Sequence, residues 1–228
     1  SVFNNGGLVV YPTETCYGAG VLATNKDAVK KLLKYKKRPS GKAISIAVND
    51  IQMARKYVLI NKSAESVYEK FLPGPVTVIS ESKNQVAGGL ESEFNTLGVR
   101  IPEFPIILEI IEKLGSPITA TSANSSGKKT PYNIDDIFNN LSESQKKLID
   151  LVIDAGQLPK NPPSTVVDTT RESMQILREG SLDLSKGAIL VNSEEEMRDY
   201  GESFMDKNIS GLTEKGLLVF LNAELGAG

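Results

Sequence analysis

The chain has 228 residues, 40% hydrophobic and 24% charged, enough to bury one sizeable core without disulfides or structural metal. With no histidine and a single cysteine, Cys16, it excludes Ser-His-Asp, Cys-His and HExxH chemistry, the common zinc frameworks and an internal disulfide. Catalysis is left to Lys, Arg, carboxylates, hydroxyls, backbone amides or a hydrated ion, a set suited to phosphate chemistry, where positioning and charge neutralisation dominate.

In chain order, residues 7–12 (GLVVYP) read as a buried strand. A helix is expected over 26–37, entered through a Thr24-x-x-Asp27 capping pattern, striped by Val29, Leu32 and Leu33, and stopped by Pro39. Residues 44–48 (ISIAV) form a second strand, and 63–71 a helix ended by Pro73-Gly74-Pro75. Strands follow at 76–80 and 97–101. Pro105 opens a helix carrying Ile106, Ile107, Ile110, Ile111 and Leu114, with Gly115 as its stop. A strand at 117–121 runs into a polar loop, helical segments lie between 134 and 148, and strands are expected at 151–154, 164–169 and 175–178. The pattern is α/β to α+β with a mixed sheet.

The stretch 180–186 is the expected boundary, since charge balance changes just after it. Residues 187–228 carry three cations against eight acids, a net −5, which leaves +3 for 1–186 within a total of −2. The tail reads as a strand at 188–191, a helix capped by Ser193-x-x-Glu196 with Met197, Tyr200 and Phe204, a loop, and a strand at 217–221. About 40 residues are too few for a core of their own, so the tail is expected to open a second domain. No run of 18 apolar residues supplies a membrane span, no leader pattern argues for export, and the lone cysteine fits a reducing, cytoplasmic setting.

Five segments could carry chemistry. The first is PTETCYGAG at 12–20. Its Gly18-x-Gly20-x-x-Ala23 spacing admits a dinucleotide fingerprint, but the gap from the strand is too long and no ribose-binding acid follows. A glycine-bearing turn or a hydroxyl-rich ligand loop (Thr13, Thr15, Tyr17) are the other readings. The second is 30–42, which holds Lys30, Lys31, Lys34, Lys36, Lys37, Arg38 and Lys42 without an acid. The helix dipole accounts for the earlier lysines, whereas Arg38 and Lys42 lie past the helix and suit a polyphosphate. The third, TATSANSSG at 119–127, offers hydroxyls, an amide and backbone donors to an anion. The last two, Ser164-Thr165-Val-Val-Asp168 and Ile176-Leu177-Arg178-Glu179-Gly180, are strands with polar ends.

In this order the segments resemble the YrdC-like family of threonylcarbamoyl-AMP synthases. The matching pieces are PTETCYG, the helix ending KKRP, GPVTV, VRIP, TSANSSG, STVVD and ILREG, together covering about residues 6–182. The resemblance implies a twisted mixed sheet flanked by helices around a concave basic cavity. It implies synthesis of an adenylate from ATP, L-threonine and bicarbonate or CO₂, with Mg²⁺ accompanying ATP, for threonylcarbamoylation of tRNA. It places Lys36, Arg38, Ser122 and Asn124 in the catalytic set. Lys42, Thr96, Tyr132 (in a stretch beginning at Thr130) and Arg178 join Arg38 and Asn124 on ATP, and Thr15, Arg100, Ser122 and Ser164 fall on threonine. Many members carry a histidine in the strand after KxRP, where this chain has Ala47. The tail resembles the start of a TsaE-like P-loop ATPase, with Ala223 in place of the first loop glycine, which makes a fusion of two activities of one pathway the expectation. The expected partners are the substrates and other proteins of that pathway, tRNA at most indirectly, and no membrane. Two rivals are an RNA-binding module without turnover and a carbamoyl-adenylating enzyme.

Overall fold

The computed structural model of the chain describes residues 1–37, 42–171, 174–180 and 193–215. Strands β1 (Val9–Tyr11) and β2 (Gly18–Gly20) lead to helix α1 (Lys26–Lys36) and strand β3 (Ser45–Ala47). Helices α2 (Ile51–Tyr57) and α3 (Lys62–Phe71) precede strands β4 (Val76–Glu81) and β5 (Thr96–Arg100). Helix α4 (Pro105–Leu114), strand β6 (Ile118–Ser122) and the short helices α5 (Ile134–Phe138) and α6 (Glu143–Lys146) follow. Strands β7 (Leu151–Val152), β8 (Thr165–Asp168) and β9 (Gln175–Arg178) complete a mixed sheet in the order β7-β1-β2-β6-β3-β5-β4-β8-β9.

Register explains why one face of this sheet is core and the other is open. Ile46 stands opposite both Thr119 and Val99, and Val78 opposite both Val99 and Val167. These five form a row across the sheet, and all are buried. Side chains alternate faces along a strand, so their neighbours Ser45, Ala47, Thr77 and Arg100 point the other way. That second face carries small and hydroxylated residues where a two-sided core would need large apolar ones. Gly98 belongs to it: a Cβ there would lie 2.4 Å from Ser45 Oγ and 3.1 Å from Thr77 Cγ2.

Local signals fix most element ends, with some displacements from expectation. Helix α1 is capped by Asn25, whose side chain accepts from the Asp27 and Ala28 amides, not by Thr24. It ends at Lys37, which takes the left-handed conformation (φ 46°) and returns its N–H to the Leu33 and Lys34 carbonyls. Helix α4 begins at Pro105 and closes on left-handed Gly115. Strand β2 falls where a loop or turn is expected, since Gly-Ala-Gly has little intrinsic strand preference. Pairing on both sides makes it a strand, to β1 and to β6. The glycines serve a close approach: a Cβ on Gly20 would lie 2.6 Å from Tyr11 Cε1. Helix α2 was also missed; its start is Asp50, which accepts from the Met53 amide at 2.6 Å.

The chain divides into two compact units, Ser1–Leu182 and Asp183–Gly228. The sheet belongs to the first. In the second, helix α7 (Glu194–Lys215) includes Tyr200 and Phe204, one turn apart with ring centroids at 5.8 Å. It runs on through the stretch expected as a loop; no proline interrupts it, and its glycines cost only about 1 kcal/mol each in a helix. The boundary at 186, the strands expected at 188–191 and 217–221, and the glycine-rich end of the tail lie outside the described residues. Among the described residues no helix is long and apolar enough to cross a membrane.

Candidate active site

The open face of the sheet is the floor of a cavity of about 490 Å³. Alternate positions line it: Ser45 and Ala47 from β3, Thr77 and Ile79 from β4, and Thr96, Gly98 and Arg100 from β5. Ala120, Thr121 and Ser122 from β6 extend the floor, and Ser164 and Val166 continue it at β8. Tyr11, Thr13, Thr15 and Cys16 form a wall from the β1–β2 connection. That connection is shaped by Thr13, whose hydroxyl oxygen accepts from the Thr15 and Cys16 amides at 3.2 Å each. Tyr11 is held by its hydroxyl, which donates to the Thr119 carbonyl at 2.9 Å.

Two guanidinium groups face this space. Arg100, at the end of β5, pairs with Glu14. Arg178, at the end of β9, donates through Nε (2.9 Å) and Nη2 (2.7 Å) to the Ser164 carbonyl and through Nη2 to Ser164 Oγ (3.0 Å). Ser164 Oγ also meets Thr77 Oγ1 at 3.0 Å. Burial first, and then the Arg100 charge, pulls the Arg178 pKa below its ordinary value. Arginine still stays protonated in proteins, so the cavity is cationic.

Beside the cavity, the loop after β6 is pinned from beneath by the end of α1. Lys36 is only 2% exposed, and its Nζ donates to the Ser122 and Asn124 carbonyls at 2.5 Å each. Tyr35 donates its hydroxyl to the Ala123 carbonyl between them. The Ser126 amide returns to the Lys36 carbonyl at 3.1 Å. Gln145 of α6 completes the support, donating to the Tyr35 carbonyl at 2.5 Å and to Ser125 Oγ at 3.2 Å. Since a trans peptide points its C=O and N–H in opposite directions, carbonyls drawn toward α1 turn the following amides away from it. Of these amides the Ala123 N–H is taken by the Tyr17 carbonyl at 2.8 Å, which leaves those of Asn124 and Ser125 turned from α1 and able to meet an anion.

Thr15, Thr96, Arg100, Ser122, Ser164 and Arg178 of the expected site all line this one cavity. Lys36 and Asn124 lie in the loop's framework: Asn124 accepts from Ser122 Oγ and donates to the Lys128 carbonyl. Lys42 is exposed and directly precedes Ala43 and Ile44, which line the cavity. Thr130 lines it, whereas Tyr132 turns its hydroxyl to the Asn161 carbonyl at 3.0 Å. Arg38 lies outside the described residues. Expectation missed Tyr11, Ser45, Thr77 and Gly98. Their signal is small or hydroxylated residues at every second strand position, where a buried sheet carries large apolar ones.

A sheet with one open, hydroxyl-rich face and two guanidiniums over it defines an α/β protein built to hold small anionic ligands. The family model described as telomere recombination, Sua5/YciO/YrdC, matches residues 1–180, and the chain belongs to that family. A Methanocaldococcus jannaschii protein provisionally designated threonylcarbamoyl-AMP synthase is 36% identical over 182 residues, which are 80% of this chain and 84% of the relative. The threonylcarbamoyl-AMP synthase of Pyrococcus abyssi is 33% identical over 182 residues, and there the match spans 79% of this chain and about half, 52%, of the relative. The crystal structure of P. abyssi Sua5 complexed with L-threonine superposes with a TM-score of 0.72 at 32% identity, covering 78% of this chain and 52% of that one.

Proposed function

We propose that the chain is an L-threonylcarbamoyladenylate synthase, a nucleotidyltransferase. It joins L-threonine, bicarbonate or CO₂, and ATP, and releases pyrophosphate, for threonylcarbamoyladenosine modification of tRNA. The observation that carries this reading is the pair of guanidiniums over one hydroxyl-lined cavity, in a relative of a protein crystallised with L-threonine.

The chemistry sets the demands. The neutral amine of threonine adds to CO₂, forming an N–C bond and losing a proton to give an N-carboxylate. A carboxylate oxygen then attacks the α-phosphorus of ATP; an O–P bond forms, the bond to the β,γ-phosphates breaks, and pyrophosphate leaves. An anion attacks an anion, so fixed positive charge and oriented donors decide the rate. Arg100 takes the amino-acid carboxylate in a forked contact. Thr15, Ser122 and Ser164 orient the reactants, and Arg178 lies toward the nucleotide with Thr96. Arg38 and Lys42, with the loop after β6, offset the charge on the leaving phosphates, and Lys36 acts through that loop's shape. Mg²⁺, which is commonly held by phosphates and water, enters with ATP. The product is a mixed anhydride, so further proteins of the pathway must pass its acyl group to adenosine.

The test is pyrophosphate release from ATP. It is expected to require both L-threonine and bicarbonate, and to fall about 10²-fold or more in Arg100→Ala. Release that ignores threonine, or that requires carbamoyl phosphate instead, overturns the reading.

A further inference from the structure

Arg100 has a carboxylate behind it. Its Nη2 donates to Glu14 Oε1, and the two side chains are 12% and 14% exposed. Arg100 lines the cavity, but Glu14 does not. Two further atoms of the pair, Arg100 Nε and Glu14 Oε2, are both buried without a partner. A buried donor and a buried acceptor left single are each costly, and here they sit on the two halves of one ion pair. Closing Nε onto Oε2 completes a two-point fork between carboxylate and guanidinium.

Glu14 is itself held in place. Its carbonyl accepts from Asn161 Nδ2 at 2.7 Å, and the turn around it is tied by Thr13 Oγ1 to the Thr15 and Cys16 amides. Its charge also serves the whole site. Arg100 and Arg178 are close enough to repel, and Glu14 is the carboxylate that pairs with Arg100.

We propose that Glu14 is a positioning residue for amino-acid recognition: it grips the inner edge of Arg100 and leaves the outer edge presented to a ligand carboxylate. The role rests on reading the cavity as an amino-acid site. Glu14 touches no reacting atom and acts through the guanidinium. A guanidinium has donors enough for a carboxylate on each of two edges, so the ligand need not displace Glu14 to bind.

Steady-state pyrophosphate release in Glu14→Gln and Glu14→Asp tests this, with the KM for L-threonine and for ATP measured separately. In Glu14→Gln the threonine KM is expected to rise about tenfold or more, the worth of one charged hydrogen-bonded contact, with the ATP KM unchanged. Glu14→Asp keeps the charge with a shorter reach and should fall between wild type and Glu14→Gln; if Glu14→Gln does not fold, Glu14→Asp alone is expected to raise the threonine KM and leave the ATP KM. A threonine KM equal to wild type overturns the role, as does a parallel change in both KM values. Wild-type protein that turns over ATP without threonine dependence overturns the amino-acid reading itself, and the role with it.

Discussion

Cys16 is the thiol of the cavity wall, and its surroundings work against its ionisation. Burial pushes its pKa up, only partly opposed by the Arg100 charge, a Thr15 hydrogen bond and the Lys36 charge. The thiolate is the reactive form, so alkylation by iodoacetamide is expected to be slow near neutral pH and to keep accelerating above the ordinary thiol range. Threonine and ATP together should slow it further by covering the wall. Rapid alkylation at neutral pH, unaffected by both ligands, would contradict this environment. The same wall shows what a residue string conceals. Thr15, Arg100, Ser122 and Ser164 were legible because each is a polar residue at a strand end or a loop within a recognisable segment. Lys36 was legible as a cation, but no local signal says that its ammonium points under the loop. Glu14 lies inside the PTETCYG segment without a local signal of its own, because its meaning depends on Arg100, 86 residues away.

At the scale of elements, long periodic segments were readable and short ones were not. Helices α1, α3 and α4 carry apolar stripes and clear stops, and β4, β5 and β9 carry strand-forming runs. Strand β2 exists through its partners, and α2 is seven residues started by one aspartate cap. Long-range staples are equally silent in sequence. Asp150, just before β7, accepts from the Leu8 amide at 2.6 Å and from Lys31 of α1, fastening the sheet's edge to a helix. Burial raises the Asp150 pKa, but the Lys31 and Leu8 contacts outweigh it and hold the carboxyl below its ordinary value. A depressed carboxylate contributes stability above its unfolded pKa and loses it as pH falls through the folded value. Asp150→Asn is therefore expected to cost about 1 kcal/mol near neutral pH, measured by urea unfolding. Wild type and variant should converge as the pH drops below the ordinary aspartate range. A gap that stays constant down to low pH would show that the charge is not what fastens the edge.

Across the whole molecule, the strand order interleaves the chain so thoroughly that the cavity exists only in the folded state. Its lining runs from Tyr11 to Arg178, with neighbours brought in from β1, β2, β3, β4, β5, β6, β8 and β9. No short peptide of this sequence contains the site, which is why the ordered set of segments identified it when no single segment could. A ligand that binds only this assembled state stabilises the fold by about 2.7 kcal/mol at a hundred times its Kd, roughly 5–10 °C for a chain of this size. Threonine and ATP are proposed to share the cavity, with the amino acid on Arg100 and the nucleotide toward Arg178. Each ligand then removes water from the other's site and fixes side chains that both use. The melting temperature with both ligands is accordingly expected to rise by more than the sum of the two separate shifts. Shifts that merely add would place the ligands in independent sites, and a nucleotide shift abolished by threonine would make them competitors for one.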